Sequence, residues 1–385
     1  MKDFGVISVD DHIQEPPDLW SKRISGPRWQ NQIPHLEHTP EGKERWIADG
    51  NVLLDGYSAR AGALLPDRNR ELERWCDVPL AAYVPSERLK AMDAAGIDYS
   101  VLYPTVAGLA GEAFGRFDDS DLELACVQAY NDWILEEWAA ASERFIPQCI
   151  VPIWPIEATV REIRRAVANG HRGVIFPSLP MHLRPVPHIS GSEYDPLWAA
   201  CEELNVPICL HAGASPELQY TPPSGLPPAI AAALDAVTKP VSSVFVISLL
   251  SFSRVLLRHP RLRLVLAESA LSWGMLYMEW ADHQFDHDGL AREGYDLKPS
   301  EMFRRGCYFT SWFDEIAPFA NYVGADRILW CAKLPLATST WPHTRESIER
   351  CFRGASPEIQ QQVLFENAAR LYGLAKHFRC KFSTA

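Results

Sequence analysis

The groups in this chain that could do acid–base or metal chemistry stand at the ends of short apolar runs. Asp10, Asp11 and His12 close "GVISVDDH", His211 ends "VPICLH", Glu268 ends "LRLVLAE" and Lys333 ends "RILWCAK". Residues two apart on a strand face the same side, so Asp10 and His12 look one way and Asp11 the other. With His211 they make one carboxylate and two imidazoles, an N/O donor set suited to a divalent metal. A lone strand-end histidine is more often a packing residue, and it is the joint pattern that carries this reading. Lys333 is the odd member, a cation where acid–base chemistry usually places a carboxylate or imidazole.

These groups need a scaffold that brings strand ends together. Apolar, Val/Ile/Leu-rich runs at 5–12, 98–105, 145–153, 172–178, 206–213, 262–269, 307–312 and 327–333 alternate with amphipathic stretches. In "PSERLKAMDAAGI" Ser86 reads as a helix cap with Glu87 in the first turn. "IEATVREIRRAVANG" closes on Asn-Gly, a helix stop. Eight strand signals alternating with helices indicate an α/β fold of the (β/α)₈ TIM-barrel type, in which chemistry collects at the C-terminal strand ends. An open doubly wound sheet is the alternative, but no G-x-G-x-x-G follows the first strand.

Residues 17–85 break the rhythm and read as an irregular insertion capping the barrel mouth, with a hairpin in "RWIADGNVLLDGY" turning on Asp49-Gly50. "SPEIQQQVLFENAARLYGL" reads as closing helices, so residues 1–385 form a single barrel domain.

Composition narrows the partners. The chain has 385 residues, 47% hydrophobic and 22% charged, with a net charge of -12 and no basic cluster, which argues against nucleic acid or an anionic membrane. The N-terminus lacks the signal-peptide pattern. "VSSVFVISLLSFSRVLL" contains serines and an arginine and reads as a buried helix rather than a membrane span. Nine cysteines without C-x-x-C spacing, several in strand-like runs (Cys149, Cys209, Cys331), suggest buried thiols and a reducing cytoplasm. Trp20, Tyr103, Phe176, Trp273, Trp312, Trp341 and His343 lie near strand ends or the following loops. Together they suit a flat or ring-shaped small-molecule substrate, with Arg184 and Arg345 as candidate carboxylate clamps.

The segments "VDDHIQEPPDLW", "ERLKAMDAAGIDYSVLYPT", "YDPLWAACEELNVPICLHAG" and "HPRLRLVLAESALSWGMLYMEWADH" resemble the amidohydrolase superfamily. More narrowly, they resemble its branch related to aminocarboxymuconate-semialdehyde decarboxylase and γ-resorcylate decarboxylase. The resemblance implies a TIM barrel, a homodimer, and one divalent metal (Zn²⁺ or Mn²⁺) held by Asp10, His12, His211 and an aspartate on the last strand. Glu268 falls where the branch carries Glu or His. Where relatives read Ser-Asp-Tyr-Pro-His, this chain reads Ala332-Lys333-Leu334-Pro335-Leu336.

A unit charge about 4 Å from another of the same sign costs roughly 4 kcal/mol at an effective dielectric near 20, and a dication makes this worse. The sequence therefore leads to an enzyme with no metal cofactor. In it Lys333 stands between Asp10 and Glu268 as general acid, electrostatic anchor or amine nucleophile, with His211 and Glu268 as acid–base partners. A conventional metal-dependent decarboxylase or hydrolase using Asp10, His12 and His211 is the alternative. A non-catalytic small-molecule binder is the second.

Overall fold

The computed structural model describes residues 5–65, 71–215, 218 and 224–374. β1 (Ile7–His12) leads into the insertion, where β2 (His35–His38), β3 (Glu44–Ala48) and β4 (Asn51–Asp55) form a small antiparallel sheet. β5 (Tyr99–Tyr103) returns beside β1 in parallel and is followed in the same sheet by β6 (Phe145–Pro147). β7 (Cys149–Ile150), β8 (Val174–Ile175), β9 (Ile208–His211), β10 (Leu264–Ala267), β11 (Cys307–Ser311) and β12 (Ile328–Trp330) form a six-stranded parallel sheet in that spatial order. β6 and β7 are the two halves of one expected strand, interrupted at Gln148. The last strand meets the first: Ala332 N donates to Ser8 Oγ at 2.8 Å and His12 N to Leu334 O at 2.6 Å. The eight expected runs thus follow one another around a (β/α)₈ barrel. Both faces of β1, β9, β10 and β12 are buried, which is why their sequences are near-continuously apolar.

Local chemistry explains most element ends. The insertion hairpin turns at Asp49 (φ 49°) and Gly50 (φ 73°), the paired positive φ values of a type I′ turn. Asn205 ends the helix Asp195–Leu204 in the left-handed region (φ 55°). Ser86 is not a cap: the helix starts one residue earlier, with Pro85 in its first turn after Val84, because proline's fixed φ already suits the first helical position. The insertion meets the barrel at several points, among them Ala82 O, which accepts from Gln14 N at 2.9 Å, and Ala63 N, which donates to Pro335 O at 3.3 Å.

The apolar stretch after β9 differs from expectation. It is helical at Pro228–Thr238 and Ser242–Phe252, and one face packs inward through Val246, Ile247 and Leu250. Ser251 Oγ lies 2.6 Å from the Tyr277 hydroxyl of the neighbouring helix Ser272–His287. The other face is open, with Val237 76%, Val241 58% and Phe245 50% exposed. By length and composition alone the segment Ala229–Phe252 could cross a membrane, at a mean hydropathy of 1.6. The sequence's apolarity is thus only partly explained by core packing.

Asp11 looks away from Asp10 and His12, as alternation requires, and staples the barrel seam. It accepts hydrogen bonds from Ser8 Oγ (2.8 Å), Ser100 Oγ (2.6 Å) and Leu334 N (2.9 Å). Three elements, β1, β5 and the loop after β12, meet at one buried carboxylate. Asp11→Ala strands three buried donors, so urea denaturation is expected to show a loss of about 3 kcal/mol or more. A loss below about 1 kcal/mol would show that the staple is dispensable.

Candidate active site

Asp10, His12 and His211 are fully buried and bring one donor atom each within 4.8 Å of the others. His12 Nε2 lies 3.1 Å and His211 Nε2 3.4 Å from Asp10 Oδ1. Both rings are oriented from behind. His12 Nδ1 lies 3.0 Å from Pro104 O, and His211 Nδ1 lies 2.6 Å from Ala212 O. A carbonyl can only accept, so Nδ1 carries the hydrogen in each ring and both Nε2 lone pairs face the carboxylate. Burial also holds the His12 imidazole below its ordinary pKa in spite of Asp10 beside it. Three acceptors therefore converge with no hydrogen of their own to share. Among the described residues, Asp10 Oδ2 and His211 Nε2 have no hydrogen-bond partner. This donor set fits a divalent cation, and the backbone carbonyls behind the rings are the usual supports of metal-binding histidines.

Lys333 stands beside this triangle and not within it. Its Nζ is 2.6 Å from Glu268 Oε1 and 4.4 Å from the centroid of the Trp312 ring. The carboxylate contact is close but not an aligned hydrogen bond, so the ammonium's hydrogens are not all committed. Burial acts to strip the Lys333 proton, but Glu268 and Asp10 outweigh it and hold its pKa above the ordinary lysine value. An amine nucleophile needs the opposite shift, which removes that role. Burial likewise acts to raise the Glu268 carboxyl, yet Lys333, then Lys239 and His211, bring it down to about 2. Asp10 too is held well below the usual range: burial acts to raise it and is overcome chiefly by the neighbouring His211 and Lys333. Lys333 (φ 62°) and Glu268 (φ 54°) both sit in the left-handed region, at a cost of about 1–3 kcal/mol each for such residues.

The other candidates divide by what they touch. Tyr103 lies 5.5 Å from the His12 ring and 5.4 Å from the His211 ring, centroid to centroid, and Trp312 carries Lys333. Trp20 packs on Trp46 and Phe114 and donates to Cys126 O, which makes it core beneath the insertion. Trp273 packs on Phe309 and donates to Ser269 O, behind the sheet. Phe176 is buried against Tyr194. Trp341 is half-buried against the core, while His343 is exposed beside Glu346. Arg184 is spent on Glu123 and the carbonyls of Phe117 and Trp154, and Arg345 is exposed, so neither acts as a clamp in this arrangement.

A small, shallow cleft borders His211 and is lined otherwise by Leu210 and Leu266, by the loop after β9 from Ala212 to Ser215, and by Ser242, Ser243 and Val246. It flanks the charged cluster, since Asp10, Glu268 and Lys333 do not line it. Sequence reasoning passed over Lys239, the one basic residue between positions 229 and 253, whose Nζ is 4.0 Å from Glu268 Oε1. Its isolation in an apolar stretch was the available signal.

A parallel barrel with an Asp-His-His set at its strand ends defines a class of metal-centred hydrolases and lyases. The chain belongs to the amidohydrolase family, which it matches over residues 74–374, and is an enzyme of lyase or hydrolase type within the branch of γ-resorcylate decarboxylase. It is 26% identical to γ-resorcylate decarboxylase of Rhizobium radiobacter over 274 residues, 66% of this chain and 77% of that protein. Among solved structures it is similar to an amidohydrolase of Mycobacterium avium subsp. paratuberculosis (TM-score 0.76, 21% identity, 97% of this chain and 100% of that one). It is also similar to a dihydroxybenzoic acid decarboxylase of Polaromonas sp. JS666 (TM-score 0.61, 17% identity, 97% and 98%).

The Lys333–Glu268 pair makes stability depend on pH. The Glu268 carboxyl is lower in the folded protein than its ordinary value of 4.5, so its contribution is complete above about pH 4.5 and is lost as pH falls toward 2. Urea midpoints at pH 5 and pH 2.5 are expected to fall further in the wild type than in Lys333→Met, where the depressing charge is gone. Equal falls would place Glu268's stabilising partner elsewhere.

Proposed function

We propose that the chain is a divalent-metal-dependent lyase that removes a carboxyl group from a small aromatic acid. The observation that carries this reading is the convergence of Asp10, His12 and His211 as acceptors without a donor, with Lys333 already paired to Glu268 outside the triangle. The metal-free arrangement, with the ammonium as stand-in for the dication, is therefore set aside in favour of the conventional one. The relatives support the same direction: one is named for decarboxylating γ-resorcylate, and the Polaromonas enzyme holds manganese and 2-nitroresorcinol.

Charge balance supports an anionic substrate. Asp10, Glu268 and Asp235 are offset in part by Lys333 and Lys239, so a dication leaves the cluster positive by one and in need of an anionic ligand. Asp10, His12 and His211 would hold the metal, which when bound supplies Lewis-acid polarisation of a substrate oxygen. The chain's own groups do the rest. Tyr103 walls the site against the two imidazole rings and helps to exclude water. Trp312 and Glu268 fix the Lys333 ammonium. As the bond from ring carbon to carboxyl breaks, its electron pair stays on the ring and CO₂ departs. Lys333 Nζ gives a proton to that carbon and regains one from solvent past Glu268, the edge of the cluster that is 10% exposed. An ammonium of raised pKa is a weak acid, but an aryl carbanion is a far stronger base.

Two measurements on one preparation test this. Elemental analysis after Mn²⁺ loading and desalting is expected to give one equivalent in the wild type and in Lys333→Ala, and little in His211→Ala. Turnover of 2,6-dihydroxybenzoate is expected to drop by about 10²-fold or more in Lys333→Ala. A wild type that retains no metal, or a Lys333→Ala enzyme at full activity, would contradict the proposal.

A further inference from the structure

The segment Ala229–Phe252 is apolar on the side that faces away from the barrel as well as on the side that packs against it. It runs as the helices Pro228–Thr238 and Ser242–Phe252, joined by the turn Lys239–Val241, with Thr238, Lys239, Val241 and Ser242 all in right-handed helical backbone. The two helices therefore follow nearly one axis, and at 3.6 residues per turn positions 230, 237, 241 and 245 fall within about 60° of one another. All four side chains on this stripe, Ile230, Val237, Val241 and Phe245, are exposed. The charged residues from 229 to 252 are Asp235 and Lys239 alone, and they pair with each other at 3.0 Å. A solvated helix face carries charged and polar side chains, whereas a helix apolar on all sides is covered.

The neighbouring helix Ser272–His287, which Ser251 reaches through Tyr277, adds Leu276 and Trp280, one turn apart and 52% and 70% exposed. These six side chains leave roughly 500 Å² of apolar surface open. A stable interface takes about 800 Å² from each partner, somewhat more than half of it apolar, so the patch supplies what one side of such an interface needs. We propose that this face binds the same face of a second copy of the chain, in a two-fold dimer centred on Ala229–Phe252. An apolar helical stripe is complementary to itself, and a two-fold contact covers both copies at once. A bilayer fits less well. Spanning one would pull Val246, Ile247 and Leu250 out of the core. Lying on one calls for lysines and arginines along the polar flank, where this segment has a single lysine bound to Asp235, the adjoining helix exposes Glu279, and the chain carries a net charge of -12.

Sedimentation velocity of the full-length protein from about 0.1 to 100 μM tests this, a range that brackets ordinary dimer affinities. The wild type is expected to reach twice the 43.3 kDa mass of one chain. Phe245→Glu and Val237→Glu, both at exposed positions, are expected to keep the wild-type circular dichroism and to weaken association by about 100-fold or more, since each copy would bury an unpaired carboxylate. Hydrogen exchange of the wild type, which needs no variant, is expected to slow in 229–252 and 272–287 as the protein is concentrated. A wild type that stays monomeric throughout overturns the proposal, as does a dimer that both variants leave intact or exchange in these two segments that ignores concentration. A monomer that sediments with phosphatidylcholine vesicles overturns it in favour of a bilayer.

Discussion

The ion pair between Lys333 and Glu268 is the constraint on which the site depends. A buried ammonium or carboxylate alone is expensive, and removing one partner of such a pair typically costs about 3–5 kcal/mol. The pair also holds two residues in left-handed backbone at the ends of β10 and β12, next to the barrel seam stapled by Asp11. Replacing both charges with well-packed apolar groups is often neutral or favourable for stability. The pair is therefore better understood through the chemistry beside it. By neutralising Glu268, Lys333 leaves Asp10 as the one unmatched carboxylate against two imidazole lone pairs.

That arrangement reconciles a lysine with a metal triangle. The electrostatic objection to an ammonium near a dication assumes an unpaired ammonium. Lys333 still acts on Asp10, but Glu268 at 2.6 Å opposes its field at the triangle, and the Trp312 ring face lies against the ammonium. A cation in this position can donate a proton and stabilise negative charge, whereas a carboxylate there would bind metal directly. The chain thus keeps a donor set for one function and gives the neighbouring strand end to another.

Much of this was legible in the sequence because strand ends announce themselves. Asp10, His12, His211, Glu268 and Lys333 were placed by the apolar runs that precede them, and a barrel has one mouth for all of them to share. The partnership of Lys333 was not legible. It depends on Glu268 reaching across from β10 and on Trp312 turning its face from β11, and neither follows from spacing along the chain. Trp20 and Trp273 illustrate the same limit in reverse. Position near a strand end is necessary for a site residue, but their indole nitrogens are bound to Cys126 and Ser269 carbonyls and their rings are packed into the core. The helix Ser242–Phe252 was expected to be buried because apolarity reports hydrophobic content, not which face has a neighbour.

Anomalous diffraction from crystals grown with Mn²⁺ tests the central claim most directly, since it locates the ion and the lysine in one map. The account predicts a manganese peak enclosed by Asp10, His12 and His211, with the Lys333 amine still against Glu268. A triangle without a peak, and the amine moved between Asp10 and Glu268, would contradict it.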